Sequence, residues 1–167
     1  GLSLAGARRL LADDESVAAL TGETIRRHHL PRRVSPDLAP YVEQAATSAI
    51  EIVSRVEQLR GEPLYGSLNG VVDTVGLLLD RITHMSERVV DTEALFDSIQ
   101  QQSKRLPGSR LPDDASQRAF EQNLFRLQQS IDAARQQVVE AVASMDQINV
   151  QTLMLQAQDA ALIDDTT

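Results

Sequence analysis

The sequence predicts an all-α protein, an antiparallel helical bundle of about four helices built on a long heptad-patterned helical hairpin. Three observations lead there. Two stretches carry apolar residues in unbroken alternating steps of four and three, a short proline-bracketed link joins them, and aromatics make up only 3% of 167 residues. A core so poor in rings is built from Leu, Val, Ile and Ala, which suits helix–helix packing better than a β-sandwich. One domain is expected over 1–167, with helices at about 3–29 (kinked), 36–60, 67–106 and 113–163.

The last helix has the clearest pattern. Phe120, Leu124, Leu127, Ile131, Ala134, Val138, Ala141, Met145, Ile148, Thr152 and Leu155 form one heptad seam, the spacing of a coiled-coil face. Asp113 and Asp114 follow Pro112, and acids at that position cap free amides and suit the helix dipole. No Gly or Pro interrupts the chain from Asp113 onward.

Leu68, Val71, Val75, Leu78, Ile82, Met85, Val89, Thr92, Phe96, Ile99 and Leu106 repeat the pattern in the third helix, with Ser103 alone polar in the seam. Ser67 is its expected N-cap, and Gly70 and Gly76 near its start are expected to permit close approach of a neighbour. The link 106–112, Leu-Pro-Gly-Ser-Arg-Leu-Pro, is short enough to make the two long helices antiparallel neighbours. Val72 and Leu79 widen the apolar face near the helix start, whereas Ser86, Glu93 and Gln100 hold the equivalent positions farther on. A four-helix cross-section is therefore expected around 68–82, thinning where Val89–Ile99 meets the start of the last helix.

For the second helix, Ser35 is the expected cap with Pro36 at the first helical position, and Gly61 and Pro63 end it. Its broad expected face (Leu38, Tyr41, Val42, Ala45, Ala46, Ala49, Ile52, Val53, Val56, Leu59) implies two neighbours. In the first thirty residues Leu4, Ala7, Leu10, Leu11, Val17, Leu20 and Ile25 have helical spacing, broken by Asp13, Asp14 and Gly22.

Composition closes off several chemistries. Without cysteine there is no disulfide or thiolate metal site. Sixteen basic residues against 24 acidic ones give a net charge of −8, which disfavours nucleic acid. No apolar run approaches the ~18–20 residues of a membrane span. Lys104 is the single lysine, and an arginine-heavy, alanine-rich composition is associated with bacterial genes. The chain opens on Gly1 with no signal-peptide pattern, so an excised or processed fragment is expected, and compartment is left open.

Few residues offer chemistry. Arg26, Arg27, Arg32 and Arg33 surround His28 and His29 in the one basic cluster, a patch for an anion or acidic partner or a solvated turn. Asp80, His84, Glu87 and Asp91 follow one another at spacings of four, three and four, as metal ligands on a helix would. Seam register points 84 and 87 outward, and a solvated charged face is expected. Residues 66–70, Gly-Ser-Leu-Asn-Gly, have the spacing of a hydrolase elbow without its preceding strand. Ten glutamines on the last helix suit packing within a bundle or a permissive partner surface.

These features predict a non-enzymatic interaction module, without cofactor or metal, acting by protein–protein contact in a secretion or signalling setting. Its partner is another protein, engaged through an amphipathic helix, or a second copy. Val89, Phe96 and Ile99 opposite Phe120, Leu124 and Leu127 are the expected contact surface. The alternative is a periplasmic ligand-sensing four-helix bundle of a membrane receptor, with Arg55, Arg81 or Arg126 lining a pocket between helices.

Overall fold

The computed structural model describes residues 20–68, 70–105 and 114–165. Helix accounts for 87% of it, in four α-helices with no strand among the described residues. The helices are α1 (Gly22–His28), α2 (Ala39–Gln58), α3 (Val71–Arg105) and α4 (Asp114–Asp165), with a 3-10 helix at Pro63–Leu68. Residues 3–19 of the expected first helix, the link 106–112 and the Asp113 cap lie outside the described residues.

Side-chain pairings fix the topology. Gly22 lies against Ile50, Arg26 reaches Glu43, Leu20 meets Gly76 and Thr83 bonds the His29 carbonyl. Hence α1 runs antiparallel to α2 and parallel to α3. Rising numbers on α2 meet rising numbers on α4, from Ser48–Asp146 to Gln58–Gln156, so those two are parallel. The result is an up-down-up-down bundle.

Its core has two layers. Leu20, Ile25, Ala49, Ile52, Val56, Val75, Leu79 and Met145 fill the four-helix layer. Leu38, Val42, Ile82, Val89, Ile131, Ala134 and Val138 fill the next. On α1, Thr21 supplies the cap: its hydroxyl accepts from Thr24 N at 3.2 Å and Thr24 Oγ1 accepts from Thr21 N at 2.8 Å. Gly22 packs closely on α2: a Cβ there would stand 3.2 Å from Ile50 Cγ2, near enough that the Ile50 side chain would have to shift.

Two helix starts differ from expectation. The third helix begins at Val71, not at Ser67, which belongs to the 3-10 helix. Gly70, at φ +85°, separates the two segments in a conformation that side chains disfavour. It therefore does not serve close approach, and no neighbour lies within 4 Å of a Cβ added there. Ser35 does not cap α2. The helix starts at Ala39 with Pro40 in its first turn, where a missing N–H breaks no helical bond, and 35–38 forms a turn ahead of it in which Leu38 N and Ala39 N both donate to Ser35 O at 3.0 Å. The freed Ser35 hydroxyl, on a residue only 4% exposed, donates instead to Glu93 at 3.2 Å.

The bundle also stays thick farther along than the flanking residues suggested. Segment 29–38 crosses α3, with Leu30, Val34 and Leu38 turned into the second layer. It packs with Val89, which is wholly buried, as is Ser86 one turn earlier on α3.

Candidate contact surface

The arginine cluster and the acidic stripe of α3 turn out to be partners. Arg33 Nη1 lies 2.7 Å from Asp91 Oδ1, and the Arg32 amide donates to Glu87 Oε1 at 3.0 Å. Arg26 reaches Glu43 on α2 at 2.9 Å, and Arg27 pairs with Glu23 one turn back at 2.8 Å. Asp91, through its hydrogen bond first and its charge second, raises the Arg33 pKa further, and Glu43 does the same to Arg26. Arg26 in turn holds the Glu43 carboxyl below its ordinary value. Of the four arginines only the Arg32 side chain has no ion pair among the described residues, so the cluster is largely neutralised and works as a strap. No set of three or more metal-ligating side chains forms among the described residues.

Arg55 is likewise consumed. It donates to the Asn149 carbonyl at 3.1 Å, Asn149 Oδ1 at 2.7 Å, Thr152 Oγ1 at 2.9 Å and Gln156 Oε1 at 3.2 Å. These bonds belong to a polar ladder in which Gln44, Ser48, Glu51, Arg55 and Gln58 of α2 meet Asp146, Asn149, Thr152 and Gln156 of α4. Arg81 and Arg126 point to solvent on α3 and α4.

The strap's last contacts are Arg33–Asp91 and Ser35–Glu93 on α3, while Arg135 on α4 meets both Asp37, at 3.0 Å, and Glu93. Beyond them, among the described residues, α3 and α4 continue as a two-helix arm. Phe96, Ile99, Phe120, Leu124 and Leu127 stand there half-buried, without the full cover that the same seam has at Ile131. Val89 is not among them. The strap residue Leu38 and Val42 cover it, leaving it 0% exposed, so it leaves the expected surface.

Two members of the arm were not anticipated. Leu95 is 51% exposed and Phe125 64%. Leu95 precedes the seam position Phe96 and Phe125 follows the seam position Leu124, and that was the available signal: a large apolar side chain where the seam register calls for a polar one. All three phenylalanines of the chain are on this arm. Farther along α4, Val150, Leu153, Met154 and Leu162 are also more than half exposed.

Comparison with protein-family models, curated proteins and solved structures found no match to the chain. No helix among the described residues is long and apolar enough to cross a membrane.

Proposed function

We propose that this chain is a non-enzymatic helical module that acts by protein–protein contact through the two-helix arm of α3 and α4. The reading rests on one observation: the arm carries every phenylalanine of the chain, with Phe125 mostly in water. Aromatic side chains are enriched in interface cores, and apolar patches rimmed by polar residues mark contact sites. A further helix laid on the arm would restore the multi-helix cross-section that exists at Ile82–Val138. Secretion or signalling is the setting in which such a bacterial module would serve.

The test is made in the cells that encode the protein. Leu95→Asp with Phe125→Asp should leave the isolated chain folded, because both side chains are already exposed. The proposal requires that the pair shift the cellular protein from a larger complex to the size of the free chain. An unchanged complex size contradicts it.

The receptor-sensor alternative draws support from the shared layer of Leu20 and Leu155, which sets the start of α1 and the C-terminal half of α4 at one end of the bundle. Two membrane-spanning flanks would need that arrangement. Ligand binding by the isolated bundle that is lost in Arg81→Ala or Arg126→Ala would favour it.

A further inference from the structure

The C-terminal half of α4 has two apolar faces. One is the seam, closed by Met145, Ile148, Thr152 and Leu155. On the opposite side Val150, Leu153 and Met154 are 56%, 52% and 58% exposed, and Ala143, Ala157 and Ala161 continue the strip above and below them. At 1.5 Å per residue the strip runs about 27 Å, the length of a five-turn helix.

Charge selects what fits there. From Gln136 to the end the chain has no Lys or Arg and five acidic residues. A groove between α2 and α4 opens beside Val150, with Glu51 and Asp146 on its walls. Asp146 accepts from Ser48 at 2.8 Å and from Gln44, and Glu51 accepts from Asn149 at 2.8 Å. Those donors are neutral, so neither negative charge is cancelled, and no described cation lies within 4.0 Å of either. Glu140 is exposed at the other flank of the strip. A second copy of this face would bring acid against acid.

We propose that this outer face of α4, with the α2–α4 groove, docks a basic amphipathic helix of another protein. The partner's apolar stripe lies on Val150, Leu153 and Met154, and its Lys and Arg side chains meet Glu51, Asp146 and Glu140. The site is distinct from the arm and does not depend on it.

The probe is an 18-residue Leu/Lys peptide with Leu at helical spacing of three and four, beside the same peptide with Glu for Lys. Titration into the isotopically labelled full chain, followed by amide chemical shifts, should move signals of residues 40–51 and 139–161 and leave the arm unmoved. Leu153→Ser with Met154→Ser should weaken binding tenfold or more. Glu51→Gln with Glu140→Gln should weaken it severalfold, whereas Glu121→Gln with Asp97→Asn, an equal loss of charge elsewhere, should not. Equal binding of the Glu peptide overturns the proposal, as do shifts on the arm, equal effects of the two charge-neutral pairs, or wild-type dimers formed through this face without peptide.

Discussion

Truncating one α4 seam residue at a time tests where the bundle gives way to the arm. Ile131 is 2% exposed among Val89, Ala134 and Leu38. Ile131→Ala removes three carbons, about 2.4 kcal/mol at ~0.8 kcal/mol per buried CH₂. The cavity left behind brings the cost to about 3–4 kcal/mol, within the usual ~2–5 for such changes. Leu124 occupies the same seam one heptad earlier but is half-buried. Its truncation should cost less, roughly 1.5–2 kcal/mol, since its side chain is only partly withdrawn from water. Phe125→Ala loses little burial at 64% exposure and gains helix propensity, so the change should be within about 0.5 kcal/mol of zero. Urea unfolding followed by circular dichroism at 222 nm reads all three, provided the denaturant slope is common to them. If Leu124→Ala costs as much as Ile131→Ala, or Phe125→Ala costs more than about 2 kcal/mol, the arm is core and its reading as a contact surface fails.

Three further outcomes follow from the polar contacts. Glu87→Gln with Asp91→Asn should loosen the strap and leave the unfolding midpoint of the bundle nearly unchanged, because the Arg33–Asp91 pair is exposed and screened by water; the Arg32 amide should exchange faster while those of Val89 and Val138 do not. Arg26 holds the Glu43 carboxyl below its ordinary value, through its hydrogen bond first and its charge second, and both groups are exposed. With the folded pKa below the unfolded one, the pair's contribution is present above the ordinary carboxylate range and is lost as pH falls through the folded value. An NMR titration should show the Glu43 midpoint rise in Arg26→Gln, and an unmoved midpoint refutes the pairing. Zinc or manganese should leave the melting temperature where it is, whereas a rise of several degrees that disappears in His84→Ala would show that the Asp80–Asp91 stripe binds metal.

The register of the long helices was legible because burial on a helix repeats with the spacing of apolar residues. Val75, Ile82, Val89, Ile131, Val138 and Met145 all lie on the predicted seam and all are buried. The two caps were misplaced for local reasons. Pro40, like Pro36, suits a first helical turn, and the helix takes the later start, while Gly70 takes a positive φ that detaches Ser67 from α3. Pairing between the Arg26–Arg33 cluster and Glu87 or Asp91 was not legible, since partners more than fifty positions apart are set by topology rather than spacing. The same holds for the ladder around Arg55, whose donors looked free until α2 lay parallel to α4. Glu93 read as a polar flank where the bundle thins because nothing in its own helix shows that Ser35 of the returning segment meets it.

The central claim is that the arm of α3 and α4 meets another protein. A photo-reactive amino acid placed at single positions tests it in living cells. Leu95, Phe120 and Phe125 sample the arm, and Asp73 and Arg81 are exposed controls on α3 outside it. The account predicts a discrete protein adduct from the three arm positions and none from the controls, with the adduct's mass telling a second copy from a different partner. Adducts at the controls alone, or at none of the arm positions, would contradict it.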